Sequence, residues 1–456
     1  MPYFVQLPAL ALALLASLAM AITPAAAQSA LRDAETEALL ADMLAPLVEA
    51  SELEPGNVEI VLINDPSINA FVAGGQVIYV HTGLLNAADT ANEVQGVLAH
   101  ELGHITAGHV ARFEERTRGL QGASILSLLA GLGAIAAGAP PEALMGALGL
   151  GQQAGINSFL RFNRNQEAAT DQAGARYLSA AGISGRGMIS FFQRLTNLEI
   201  RRGYSQADEA AYGRTHPLSG DRVATLRAQL EADPAWARPP DADLQARFLG
   251  VRGKLYGYLA EPARTLRAYP ETDTSIPARY ARAYAFHKDA LVEKALLEAD
   301  ALLASDPDNP YYLELKGQVL LESGKPYEAL PPLREATRLT RNHPLIASIF
   351  GHALIATEDE MHYPEAERVL RAAVARDRLN PFAWYQLGVV HEAKGDIPRA
   401  RLASAEQLIM RRNYPAALRN AQAAEAGLPR GTPDWIRAQD ISLQARAELE
   451  RLRDRR

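Results

Sequence analysis

Leu39, Leu40, Met43, Leu44 and Leu47 recur at three- and four-residue intervals, which predicts a helix over residues 31–50 with one apolar face. The pattern then changes. Val58-Glu59-Ile60-Val61-Leu62-Ile63 reads as a strand ended by Asn64-Asp65-Pro66. A second pair of strands is expected at Ala70–Val72 and Gln76–His81, with Gly74-Gly75 as the hairpin turn between them. Thr82-Gly83-Leu84-Leu85 leads back into helix, and residues 91–116 predict a long amphipathic one. From Gly119 to Leu160 the chain is rich in Gly, Ala and Leu and is broken by Pro140-Pro141, which reads as a packed helical hairpin. Its uncharged stretch Ala123–Ala139 matches the shortest membrane spans in length, so membrane contact stays open. Residues 155–200 read as helical, and Pro239-Pro240 as a domain boundary.

Beyond that boundary the pattern repeats. Gly317, Gly351 and Gly388 lie 34 and 37 residues apart. Ala295, Ala329, Ala366 and Ala400 lie 34, 37 and 34 apart, so one three-residue insertion near Asp359–Tyr363 explains both irregular intervals. The copy with Trp384, Leu387 and Gly388, followed twelve residues later by Ala400, is the tetratricopeptide pattern of paired helices. Residues 276–414 then form four units, flanked by degenerate or capping helices.

Composition narrows the chemistry. The 456 residues suit two or three domains. A net charge of −7 gives no support to nucleic-acid binding. With no cysteine, disulfides, thiolate catalysis and sulfur-ligated metal are excluded. The apolar run Leu7–Ile22 followed by Ala25-Ala26-Ala27 reads as a signal peptide cut after Ala27, although no Lys or Arg precedes it; the alternative is an N-terminal membrane anchor.

The chemistry centres on His100-Glu101-Leu102-Gly103-His104. Residues four apart share a helical face, so both imidazoles can reach one metal ion, with Glu101 beside them as a base for the attacking water. A third protein ligand is required. A histidine at 110 would supply it in an extended motif, but that position is Val. Glu167 and Asp171, also four apart, offer the other route: Glu167 as ligand and Asp171 as acceptor for a ligating imidazole. The bland alternative for that pair is a solvated acidic face. His109 is off the ligand face, and His81 ends a strand with no evident partner.

The order of these motifs resembles the M48 metallopeptidases, and within them the periplasmic members joined to tetratricopeptide repeats. The likeness rests on Asn69-Ala70-Phe71, Gly74-Gly75, Thr82-Gly83-Leu84, Val97 to His104, Glu167 with Asp171, and Thr215-His216-Pro217-Leu218. It implies one zinc ion bound by His100, His104 and Glu167, with Glu101 as base. It further implies that His216 reaches the zinc and holds a resting state, and that Arg222 lies near the cleft, either polarising the substrate carbonyl or pairing with an acid. Asn69, Ala70 and Phe71 would hold substrate as an added strand.

The expected fold class is α+β: a mainly helical zincin-type domain with a small sheet, then an all-α repeat solenoid. The expected division is a signal peptide over 1–27, a peptidase domain over 28–238, connecting helices over 239–275 and repeats over 276–456. The expected activity is a periplasmic zinc endopeptidase acting on misfolded or stalled envelope proteins, its repeats recruiting clients or outer-membrane assembly proteins. The competing readings are a chaperone-like adaptor with latent proteolysis and an integral membrane protease.

Overall fold

The computed structural model describes residues 29–51, 53–108, 153–202, 216 and 220–454. The Gly/Ala/Leu-rich hairpin with Ala123–Ala139, His109 and the leader segment lie outside them. Among the described residues no helix is long and apolar enough to cross a membrane.

A short strand β1 (Ser29–Ala30) precedes helix α1 (Ala34–Ala50), whose N-cap Asp33 accepts the Thr36 N–H. The expected buried face is present: Leu39, Leu40, Met43, Leu44 and Leu47 are all buried. Strands β2 (Glu59–Asn64), β3 (Ala70–Ala73) and β4 (Val77–His81) complete a sheet of order β1-β2-β4-β3. β2 and β4 run parallel, and the β3–β4 pair is an antiparallel hairpin turning at Gly74-Gly75. In register, Val72 faces Ile78 and Ala70 faces Val80, so these four side chains share the sheet face that meets the helices. Among the described residues β3 lies at the edge of the sheet.

Helix α2 (Thr82–Ala87) leads to α3 (Ala91–Thr106), capped by Thr90. α3 stops ten residues short of the expected end, in a turn at Ala107-Gly108. The helical stretch expected over 155–200 is two helices, α4 (Gln153–Ala180) and α5 (Arg186–Arg202). The break has a local cause: Gly182 takes φ +68° and the Ile183 N–H turns back to the Leu178 carbonyl. α6 (Gly220–Glu231) and a short 3₁₀ turn (Pro234–Ala237) close this region. One apolar core joins α1, the sheet, α3, α4, α5 and α6.

α7 (Ala242–Leu259) and α8 (Pro262–Ala268) connect to the repeats. α7 serves both sides: Leu244, Phe248, Val251 and Leu255 enter the first core, while its other face packs on α9. The helix pairs are α9 (Ile276–Lys288) with α10 (Val292–Ser305), α11 (Pro310–Glu322) with α12 (Pro326–Leu339), α13 (Pro344–Ala356) with α14 (Tyr363–Arg376), and α15 (Pro381–Ala393) with α16 (Ile397–Met410). Each pair packs on the next, as a helical solenoid requires. The 3₁₀ turn Glu360–His362 occupies the place of the expected insertion. Ala295, Ala329 and Ala366 are fully buried at the repeated position. α17 (Tyr414–Gly427) and α18 (Pro433–Asp454) end the solenoid.

Candidate metal centre

His100 and His104 lie one turn apart on α3, and their rings meet edge to face 4.9 Å between centroids. The second helix reaches them because α3 and α4 cross closely. A Cβ on Gly103 would stand 2.9 Å from the Thr170 carbonyl oxygen, and one on Gly174 would stand 3.0 Å from that of Ala99. Glycine at both places lets the backbones touch and brings Glu167 under the imidazoles.

Four donors converge. Nε2 of His100 and Nε2 of His104 are 3.2 Å apart, and the Nδ1 of His216 lies 3.2 and 3.3 Å from them. Glu167 Oε2 lies 3.2 Å from His216 Nδ1 and 3.4 Å from His100 Nε2, while its Oε1 is 3.4 Å from His104 Nε2. His100, His104, Glu167 and His216 thus form one potential metal-holding group. Five of these separations join the three ring nitrogens and Oε2, and the sixth reaches the other oxygen of the same carboxylate, so the donors surround one point. Ligand atoms about 3.3 Å apart around a tetrahedral centre lie about 2.0 Å from it, the distance of zinc from nitrogen and oxygen ligands. Direct hydrogen bonding cannot satisfy this arrangement, since each ring nitrogen offers one in-plane site, a proton or a lone pair, and here faces two other ring nitrogens. The donor set fits a tetrahedral metal ion.

Around the four donors the carboxylates are tied in place. Asp171 Oδ1 lies 2.9 Å from His100 Nδ1, which directs the other ring nitrogen toward the convergence point. Arg222 Nη2 donates to the same Oδ1 at 3.0 Å, its Nε donates to Oδ2, and Nη2 stands 3.3 Å from Glu167 Oε2. Of the two expected roles for Arg222, pairing with acid is the one observed. Phe192 of α5 packs edge-on against His100 at 5.7 Å, a contact that the sequence reading missed. Its only sequence signal is the Phe191-Phe192 pair in an amphipathic helix.

Burial opposes charge on these groups, and the neighbours decide the outcome. Glu167 is held far below the usual carboxylate range because His216 and His100 outweigh its desolvation. Asp171 is lowered in the same way by His100 and Arg222. Burial would lower His100, but Asp171 and Glu167 raise it to about 9. Glu101 is fully buried, with Oε1 3.5 Å from the outer Nε2 of His216.

At the sheet, Asn69 is buried, Ala70 begins β3, and Phe71 stacks on Tyr79 at 5.0 Å. β3 packs against α3, the helix that carries the two histidines. His81, expected to lack a partner, has one: its Nδ1 lies 2.8 Å from Ser67 Oγ and 3.5 Å from Asp65 Oδ1.

Comparison with known proteins places both parts of the chain beside known families. Residues 31–230 match the family model described as Peptidase family M48, and residues 288–373 match that of Anaphase-promoting complex, cyclosome, subunit 3. The Beta-barrel assembly-enhancing protease of Escherichia coli (strain K12) is 29% identical over 286 residues, which is 62% of this chain and 57% of that protein. Metalloprotease LoiP of the same organism is 31% identical over 40% of this chain and 65% of its own length. The chain therefore spans a little over half of the first of these relatives. Among solved structures, "YrrB: a TPR protein with an unusual peptide-binding site" is 22% identical, with 39% of this chain and 92% of that one covered and a TM-score of 0.32.

Proposed function

We propose that this chain, whose residues 31–230 match the model of Peptidase family M48, is a zinc-dependent endopeptidase. The observation that carries the reading is the convergence of four donor side chains beside a fully buried Glu101. His100, His104 and Glu167 would hold zinc, which when bound supplies a Lewis acid that acidifies water and polarises a carbonyl. Glu101 takes the proton of the attacking water and delivers it to the leaving amine. Asp171 fixes the tautomer of His100, and Arg222 fixes Asp171. Substrate adds to the open side of β3, where main-chain hydrogen bonds bind a peptide with little sequence preference.

His216 takes a different role. Its Nδ1 occupies the fourth corner, which a catalytic zinc site leaves open for water or substrate. The described arrangement is then a resting state, and His216 must withdraw before substrate enters.

Polypeptides, unfolded or misassembled, are the proposed substrates. The repeats would recruit clients or outer-membrane assembly proteins, a reading supported by the name of the 29% identical relative. Export to the periplasm is proposed on the leader-like run Leu7–Ile22 with Ala25–Ala27.

The test compares the chain from Gln28 onward with its Glu101→Gln and His216→Ala variants, all loaded with zinc, on unfolded casein. Glu101→Gln should retain one zinc and digest on the order of 10²–10⁴-fold more slowly. His216→Ala should digest faster than the parent. Absence of digestion by both the parent and His216→Ala, with zinc bound to each, would overturn the peptidase and leave an adaptor.

A further inference from the structure

A second cluster of ionisable side chains lies where the first core meets the repeats. The segment ahead of α1 lies against the solenoid: Ala34 packs on Ala336 and Ile346, and Arg32 Nη2 pairs with Asp377 at 3.2 Å. Beside it, Lys254 of α7 is 4% exposed, with Nζ 2.5 Å from Asp33 Oδ2 and 3.2 Å from Glu35 Oε2. The Tyr280 hydroxyl of α9 donates to the same Glu35 oxygen at 2.6 Å. Glu314 is carried by α11, whose Tyr312 ring meets that of Tyr280 edge to face at 5.4 Å and whose Tyr311 and Leu313 pack against the Ala34 cluster. Glu314 is 7% exposed, and among the described residues its Oε2 has no hydrogen-bond partner.

Counting charges exposes the problem. Three carboxylates, from Asp33, Glu35 and Glu314, stand against one ammonium: Asp33 and Glu35 keep partial access to water, whereas Glu314 is buried. Asp33 and Glu35 hold Lys254 by direct contact, so the third carboxylate is left with uncompensated desolvation. A buried carboxyl in that position takes a proton. We infer that Glu314 carries a proton while the N-terminal segment is docked, which makes the Lys254 cluster a proton-dependent latch between the first core and the repeats. The latch does not depend on the peptidase reading.

The surrounding groups agree on the direction. Burial raises Glu314 to about 8; Lys254 pulls the other way, and Asp33 and Glu35 add to the rise. Burial also raises Glu35, which Lys254 and the Tyr280 hydroxyl offset only in part. Asp33 ends lowered, because Lys254 outweighs its burial. Lys254 stays charged, since these acids lift it well above its ordinary value despite burial. The remaining ionisable groups that face the cluster are Tyr284 on α9, Tyr311 and Tyr312 on α11 and, through Tyr311, Arg247 on α7. Burial raises all three tyrosines, so they stay neutral across the physiological range.

The sign follows from proton counting. Undocked, Glu314 titrates near the ordinary value of about 4.3. Docked, it titrates at about 8. Between those values only the docked form holds the proton. The stabilisation is complete below the lower pKa, is lost as pH rises toward the upper one, and changes no further above it.

Hydrogen exchange on the full chain tests this, comparing parent with Glu314→Gln in peptides that cover residues 30–38 and 310–322. Chemical exchange accelerates with pH equally in both proteins, so the parent-to-variant ratio at each pH reads the opening equilibrium. That ratio should rise about tenfold per pH unit between roughly pH 5 and 8, in both peptides together, and then level off. A ratio that stays constant with pH overturns the latch, as does a rise confined to one peptide. Tyr280→Phe is the second variant. It should speed exchange in both peptides together, and exchange equal to the parent's in either peptide would overturn the coupling of the N-terminal segment to the repeats through this cluster.

Discussion

The two buried polar clusters solve opposite problems. Around His100, His104, Glu167 and His216, one donor atom from each side chain converges on the same small region. Around Lys254 the acids also converge, but an ammonium from α7 already stands among them. The first cluster offers ligands that could hold a cation from outside; the second carries its own. Burial is similar in both, so desolvation alone does not tell a binding site from a structural one. What distinguishes them is whether the compensating charge belongs to the chain.

Removing that charge should have the largest effect on stability. Lys254→Met leaves Asp33 and Glu35 without their cation, a loss of about 3–5 kcal/mol for a broken buried pair. Thermal unfolding of the zinc-loaded protein should show a markedly lower midpoint at pH 7, with zinc stoichiometry unchanged in the fraction that remains folded. A midpoint equal to that of the parent would mean that the two acids protonate at no cost, and the contrast between the clusters would collapse.

The metal centre should respond to a smaller change, and in a different observable. Asp171→Asn keeps the shape beside His100 Nδ1 but removes the charge that Arg222 also holds. Zinc affinity, measured by competition with a chromophoric chelator, should fall about 10–100-fold, the usual cost of losing such a supporting partner. Unfolding of the metal-free protein should change far less than in Lys254→Met. Equal zinc affinity in parent and variant would mean that Arg222 or Phe192 fixes the ring without Asp171.

The clusters also differ in how far the sequence discloses them. His100, Glu101 and His104 are a local pattern, and Glu167 with Asp171 repeats the same four-residue spacing on a second helix. Helical periodicity alone puts each pair on one face. The strands, the hairpin at Gly74-Gly75 and the register of the repeats are legible for the same reason, since each rests on short-range spacing. His216 has no spacing to announce it and was reached through resemblance. The latch is silent in sequence: Lys254 lies 219 residues from Glu35, and Tyr280 lies 245 away. Asp33 and Glu35 read as ordinary acids at a helix start, where they also serve as cap and first-turn charge. The end of α3 and the break between α4 and α5 were missed because helical patterning continues across both, and single glycines there act only through backbone conformation.

The finest test separates the clusters by geometry rather than charge. Gly103→Ala adds one methyl group 2.9 Å from the Thr170 carbonyl oxygen and 3.0 Å from its Cγ2. The obstacle includes backbone, so rotation of a side chain cannot relieve it, and α3 and α4 must separate by a few tenths of an ångström. Overpacking of this kind costs about 1–3 kcal/mol, against which alanine regains up to about 1 kcal/mol of helix propensity. Net stability should therefore fall by about 2 kcal/mol at most, less than for Lys254→Met. Zinc affinity should fall with it, because the shift moves His100 and His104 away from Glu167 and lengthens separations that now measure 3.2–3.4 Å. The exchange behaviour of residues 30–38 should not change, since the latch shares no atom with this crossing. If the variant keeps its zinc affinity while losing stability, the donors adjust through their side chains and the glycine serves packing alone.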